Sequence, residues 1–352
     1  MKEIQEMFLL NICVNESSEK SGPDIENIVY KKIVAYLGKY KLSNWNIVWG
    51  PAIYRVVPDG KPDHVMMLAY DDVTSRYYIS ISGTSPYSLI NWYEDFNVAK
   101  SKQWPWNNAG ASVQVDTGSM LALNILQEMT AKERVDGKQI GDKLTLVQFL
   151  KNRFANSNQE TNYLITGGHS LGGAISPLMA LYLKDIQAEW DENNAIKDIS
   201  SWPSAGPTVG TEGFKNYYDS RVPNTHRIHN TFDVVPHAWN VEDLEAIKTL
   251  YQPEISKSDC VDKLVDLNID KVKDAGYVHA GLIDISLQGS INNDIIKWYY
   301  VPGYAFGVQL GYQHVGAYYK LLDIDPHDNA DFFSKEESLS ILENLSKKAS
   351  KI

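Results

Sequence analysis

The chain has 352 residues, 43% of them hydrophobic, enough to bury a large core as one globular unit. Its 33 basic and 44 acidic residues leave a formal charge of -11 with no block of lysines or arginines, which argues against a nucleic-acid surface or a strongly anionic membrane partner and favours substrates that are neutral or apolar. Two cysteines, Cys13 and Cys260, stand far apart with no Cys/His cluster, so neither a disulfide framework nor a zinc site is expected.

In chain order, the first apolar run is Met7 to Val14. It is interrupted by Asn11, is too short to span a bilayer and precedes no small-residue cleavage site, so it is expected to pack on the domain rather than to act as a signal peptide or transmembrane segment. That leaves the compartment open between the cytoplasm and a mature secreted form. Helical patterns at Asp24 to Tyr40 and Met120 to Thr130 alternate with strand-like runs at His64 to Tyr70, Tyr77 to Ser82, Tyr163 to Thr166, Ile199 to Ala205, Thr225 to Asn230 and Leu282 to Leu287. Alternation of this kind predicts an α/β fold with a mainly parallel central sheet flanked by helices. Two stretches read as additions to that plan. Residues 85–111 mix aromatic and polar residues around Trp104-Pro105-Trp106, and residues 241–275 are charged and helix-prone. The lysine-rich end, Lys347 to Lys351, is expected to fray.

The densest chemical signal is Gly168-His169-Ser170-Leu171-Gly172-Gly173. It spells G-x-S-x-G between a short apolar strand and a helical run with Ile175, Leu178, Met179, Leu181 and Tyr182 on its spacing. Gly168 and Gly172 lack a Cβ, so a helix can start hard against the strand and push the Ser170 hydroxyl out at the sheet edge. Pro177 falls inside that helix and is expected to kink or loosen it. A bare G-x-S-x-G also arises by chance; the flanking strand and helix favour a nucleophile elbow here.

A serine needs a base, and the base an orienting acid. Asp233 follows the strand-like run ending at Asn230, the place for an acid in the chain order Ser, Asp, His. His237, His279, His314 and His327 all follow it. His279, in Gly276-Tyr277-Val278-His279-Ala280-Gly281, suits a structural role. His314, in a glycine-rich phrase read as a loop ahead of a helical run, suits a mobile base, and the residues alone favour it only modestly. For the oxyanion hole the candidate donors are Leu171, after the nucleophile, and Thr84, after Gly83 at the end of a strand. A routine strand-terminating turn explains Gly83-Thr84 equally well.

Taken together, these fragments resemble the class 3 lipases, the α/β hydrolases typified by fungal triacylglycerol lipases and their bacterial relatives, from about residue 45 to 320. Ile81-Ser82-Gly83-Thr84 is similar to that family's oxyanion strand end, Asn91-Trp92-Tyr93-Glu94-Asp95 to the N-W-x-x-D of its lid helix, Gly206 to Gly210 to its G-x-P-x-V-G turn, and Asn230 to Pro236 to the N-x-x-D-x-V-P around its catalytic acid. The resemblance implies an α/β hydrolase fold in one domain over 1–352, a lid at Ser85 to Phe96 within a lid and mouth loop at 85–111, and a helical insertion at 241–275. It further implies that His279 fills a noncatalytic H-x-G phrase, leaving His314 as base. Asp95 is expected to hold the Thr84 hydroxyl, with His169, Gly168 and Gly172 supporting the elbow. Trp92, Tyr87, Leu89 and Ile90, with Trp104 and Trp106, are candidates for an apolar mouth facing lipid, packing of the loop on itself being the alternative. Three departures stand out: Ser82 replaces an arginine, Asp116 a histidine, and Thr208 another arginine. None removes a triad member.

The function so implied is a serine ester hydrolase cleaving acylglycerols or similar lipids, with no cofactor and no metal in the mechanism and a lipid or small ester as partner. The alternatives are a phospholipase, a short-chain carboxylesterase, or a lipase-like binding protein without turnover.

Overall fold

The computed structural model describes residues 1–17, 20–83, 98–155, 162–297, 299 and 301–326, without the side chains of 16, 17 and 134. Two helices, α1 (Glu3–Ile12) and α2 (Ile25–Lys39), precede a sheet that begins with β1 (Trp45–Tyr54), β2 (His64–Asp71) and β3 (Arg76–Ile81). After α3 (Thr117–Glu128) and α4 (Leu146–Phe154) come β4 (Asn162–His169), α5 (Leu171–Asp185), β5 (Ile196–Ser204), α6 (Glu212–Arg221) and β6 (His226–Asn230). The chain continues through α7 (Val241–Ile247), α8 (Asp259–Val272), β7 (Ile283–Leu287), α9 (Pro302–Gly311) and α10 (Ala317–Leu321). The strands lie side by side in chain order, β1 to β7. The first two pairings are antiparallel and every pairing from β3 onward is parallel, so the helices between those strands are the crossovers that parallel neighbours require.

Strand alternation splits the apolar residues between two cores. On β2, Met66 and Leu68 face one way and Val65, Met67 and Ala69 the other; on β3, Tyr77, Ile79 and Ile81 oppose Tyr78. The first core lies under the crossover helices, against Leu123 and Leu126 of α3, Ile175 and Leu178 of α5, and Phe214 and Tyr218 of α6. The second lies under α1 and α2, where Met7, Phe8, Leu9, Ile25 and Ile33 meet Tyr318 and Tyr319 of α10. Each such side chain contributes about 1.5–3 kcal/mol relative to exposure. The apolar run Met7 to Val14 therefore closes a face of the sheet.

Every strand-like run found in the sequence falls on one of these strands. β1 was not expected: its burial has no simple period, and its pairing with β2 slips twice, between Ile47 and Trp49 and between Trp49 and Ala52. Helix α5 runs through Pro177 to Asp185. Losing one donor is outweighed by burial of Leu171, Ile175, Leu178, Leu181 and Leu183 along it. Residues 241–275 carry α7 and α8. Trp104 is 1% exposed, donates its indole N–H to Asp185 Oδ2 at 2.8 Å and packs on Trp106 and Phe214, while Trp106 packs on Tyr182 of α5. Trp104 is thus committed to the core, with Trp106 half-buried against it.

Four short segments, Ser101–Gln103, Gln114–Asp116, Gly210–Thr211 and Tyr277–Val278, form a second, antiparallel sheet. It ties together three connections that leave the carboxyl ends of the main strands. Among the described residues no helix is long and apolar enough to cross a membrane, and no group of His, Cys, Asp and Glu is arranged to hold a metal.

Candidate active site

Between β4 and α5 a single residue, Ser170, makes the turn, with φ 63 and ψ -122. That backbone conformation is rare for a residue with a side chain and costs about 1–3 kcal/mol, so the surroundings must impose it. They do so from both sides: the Ser170 N–H donates to Ser204 O at 3.0 Å, and its carbonyl accepts from Ala174 N at 3.0 Å. The approach is possible because of the glycines. A Cβ on Gly168 would lie 2.5 Å from the Gly172 carbonyl carbon, and one on Gly172 would lie 2.2 Å from Ile81 O. Leu171 opens α5, and its N–H, among the first four of the helix, has no intrahelical acceptor and sits at the positive end of the helix dipole.

Asp233 and His314, far apart in sequence, meet inside the protein. The His314 Nδ1 donates to Asp233 Oδ2 at 2.9 Å, with Oδ1 at 3.0 Å, and both side chains are almost fully buried. Asp233 also accepts from the Val235 N–H at 3.0 Å and the Tyr318 hydroxyl at 2.9 Å. Burial alone would raise its carboxyl, but the charge and hydrogen bond of His314, the Val235 N–H and the nearby His169 hold it below the usual carboxylate value. With Nδ1 facing a carboxylate, Nε2 is the basic nitrogen of the neutral ring. It is buried and has no hydrogen-bond partner among the described residues.

His314 was expected in a loop; it lies instead on a π turn, Tyr312–Gly316, inside a helical run from Pro302 to Leu321. Gly311 and Gly316 take ordinary helical angles, so the glycines that suggested a loop do not break the helix. The Ala317 N–H reaches back to Tyr312 O, and the turn so widened offers carbonyls to outside donors. Asn230 Nδ2 donates to Gln313 O at 3.0 Å and to Gln313 Oε1 at 2.7 Å. His169 Nε2 donates to His314 O at 2.8 Å, with the two rings 4.7 Å apart. His314 is thereby fastened to the residue immediately before Ser170. Burial, then the proximity of His314, push the His169 ring down to about 3, so it stays neutral with Nε2 protonated, and its Nδ1 lies 3.1 Å from Ser204 Oγ.

Gly83 lies against the elbow: a Cβ there would be 2.5 Å from His169 O and 3.2 Å from the Ser170 Cβ. Ser82, in place of the family's arginine, accepts the Val65 N–H on its hydroxyl at 2.9 Å and donates its own N–H to Val65 O at 2.9 Å. Thr84, Asp95, Tyr87, Leu89, Ile90, Trp92 and the lid at Ser85 to Phe96 lie outside the described residues, as does His327. Of the other histidines, His279 bonds Pro236 O through Nε2 at 2.8 Å, and His237 bonds Asp233 O through Nδ1 at 2.8 Å, so both brace the loop that carries Asp233. Asp116 caps α3 by accepting the Ser119 N–H at 2.7 Å, and burial raises its carboxyl to about 7. Tyr318 and Ser204 were not singled out in the sequence. Tyr318 stands four residues after His314, the spacing that puts two side chains on one helix face, and that was its only sequence signal.

A mainly parallel sheet with crossover helices, a strained serine between strand and helix, and a buried Asp–His pair beside it define an α/β hydrolase of lipase type. Residues 78–242 match the family lipase (class 3). The crystal structure of M37 lipase is similar to it along the whole length, with TM-score 0.82 and 27% identity over 98% of this chain and 99% of that one. Looser likenesses include the Rhizomucor miehei lipase propeptide complex, with TM-score 0.47 and 20% identity over 68% of this chain and 64% of that one. The lipase from Rhizopus microsporus var. chinensis gives 0.45 and 19% over 68% and 69%. No curated protein matches the sequence.

Proposed function

We propose that the chain is a serine carboxylic-ester hydrolase acting on acylglycerols or similar lipid esters, folded as one α/β hydrolase domain with 241–275 as a helical insertion. His314 Nε2 takes the hydroxyl proton as Ser170 Oγ attacks the ester carbonyl carbon, and Asp233 stabilises the resulting imidazolium. The N–H groups of Leu171 and Thr84 receive the oxyanion. Collapse of the tetrahedral adduct expels the alcohol, which takes the proton from His314 and leaves an acyl-serine. Water, deprotonated by the same nitrogen, then releases the acid. The observation that carries this reading is the basic nitrogen of His314, held beside the elbow by Asp233 on one edge and by the His169 bond to its carbonyl.

The test is hydrolysis of p-nitrophenyl esters from acetate to palmitate, with emulsified triacylglycerol and phosphatidylcholine alongside, for the wild type and Ser170→Ala. Serine-dependent cleavage peaking at medium or long acyl chains is expected. A peak at acetate makes the protein a short-chain esterase, and preference for phosphatidylcholine makes it a phospholipase. A folded wild type inactive on every substrate returns the binding-protein alternative. The base has its own control: His314→Ala is inactive and His279→Ala retains turnover, and the reverse result exchanges their roles.

A further inference from the structure

Outside the stretch that matches the family, the amino-terminal segment hydrogen-bonds the chain just after β3. Asn15, in the 3-10 turn Cys13–Ser17 that continues α1, accepts the Gly83 N–H on its Oδ1 at 2.9 Å. Gly83 has the elbow on its other side, with Ser170 and His169 close enough to exclude any side chain. Its N–H is therefore spent on Asn15.

The turn that carries Asn15 is fastened to the sheet by a row of polar bonds. Asn11 Nδ2 donates to Trp202 O at 2.7 Å and to Ser204 Oγ at 3.0 Å, while its Oδ1 accepts the Tyr78 hydroxyl at 2.5 Å. One residue back, Ser80 Oγ donates to Leu10 O at 2.6 Å. Asn11, Tyr78, Ser80 and Ser204 are all fully buried, where an unmade bond costs about 1–3 kcal/mol. Ser204 is also the residue whose carbonyl holds the Ser170 N–H and whose hydroxyl faces His169. Hence α1 and the turn after it are referenced to the same strand ends as the nucleophile.

We propose that Asn15 is a positioning residue for the nucleophile: by holding the Gly83 N–H it keeps the chain just after β3 seated against His169 and Ser170. This rests on the serine-hydrolase reading above. Asn15 touches neither substrate nor triad, so its effect falls on turnover and not on ground-state binding.

The experiment compares the wild type, Asn15→Ala and Asn15→Asp, each as the full chain with active sites counted by a serine-directed phosphonate. Readouts are kcat and KM on one p-nitrophenyl ester, Tm, and amide exchange at Gly83. Asn15→Ala is expected to lower kcat roughly 10- to 100-fold per titrated site, with KM and Tm little changed, and to speed exchange at Gly83. Asn15→Asp keeps the acceptor and is expected to restore slow exchange and most of the turnover. An alanine variant with wild-type kcat per titrated site overturns the proposal, whether or not its Tm falls, because the bond would then serve stability alone. Equal damage from alanine and aspartate overturns it too. A folded wild type that takes no label at Ser170 removes the hydrolase reading and this proposal with it, whereas labelling with no difference among variants removes only this proposal.

Discussion

The elbow at Ser170 and the turn at His314 solve the same problem, holding one reactive side chain still, by opposite means. At the elbow the constraint is steric and local: three glycines within six residues let backbone touch backbone, and the serine is driven into φ 63 by strand and helix meeting there. At His314 the constraint is chemical and remote. A π turn opens two carbonyls, to which Asn230 and His169 donate, while Asp233, itself held by the Tyr318 hydroxyl, fixes the ring at Nδ1. The first device tolerates no added volume, and the second no lost hydrogen bond. Substitutions that change one quantity at a time separate them.

The largest effect is expected at the acid. Asp233→Asn keeps the volume but replaces a pure acceptor with a group that can donate to Nδ1, favouring the wrong tautomer of His314, and turnover should fall about 10⁴-fold with Tm little affected. Steady-state kinetics on a p-nitrophenyl ester check this, and a loss below a hundredfold would break the assignment. Next comes Gly172→Ala, whose Cβ would sit 2.2 Å from the backbone oxygen of Ile81, an atom that cannot swing aside. Chemical denaturation should show about 3 kcal/mol or more of lost stability, with activity lost as the elbow shifts. Tyr318→Phe is smaller. It leaves Asp233 with one donor fewer and removes the acceptor of the Asn230 N–H, bonded at 3.0 Å, for roughly a tenfold drop in kcat and about 1–3 kcal/mol of stability. If Tyr318→Phe lowers Tm but not kcat, the tyrosine braces the fold and does not orient the acid.

The same contrast explains what could be read from the amino-acid sequence. The elbow was legible because its cause is written in adjacent letters: glycine, serine, glycine, between an apolar strand and a helical period. The sheet strands were legible for the same reason, apart from β1, whose two register slips erase the alternation. Asp233 and His314 could be nominated from chain order and from a family phrase, yet the choice among histidines turned on contacts that sequence spacing does not carry. Gly311 and Gly316 suggested a loop, whereas the helix persists because Tyr318 and Tyr319 bury against α1 and Asn230 ties down the turn. Ser204 and Asn15 had no legible signal, since their partners stand at least 34 positions away, and Tyr318 had only its spacing of four from His314.

Two buried titratable groups give the comparison its last and smallest test, since they answer pH in opposite senses. His169 has its folded value pushed down to about 3, against an ordinary value of 6.5, so below pH 6.5 the unfolded chain takes up a proton that the folded one refuses, and stability is lost as pH falls from 6.5 toward 3. Asp116 has its folded value raised to about 7 from 3.8, so above pH 4 the unfolded chain gives up a proton that the folded one keeps, and stability is lost as pH rises from 4 toward 7. Between pH 4 and 6.5 the two slopes oppose each other, and the wild type should look flatter than either group alone would make it. His169→Gln, which retains a donor for the His314 carbonyl, should gain relative to the wild type as pH falls through 6 to 4. Asp116→Asn, which retains the helix-capping acceptor, should gain as pH rises through 5 to 8. Denaturant midpoints measured across that range give both differences free of every group the variants share. Parallel curves for Asp116→Asn and the wild type would mean that its second carboxylate oxygen, which has no hydrogen-bond partner among the described residues, reaches water and ionises in the folded protein at its ordinary value.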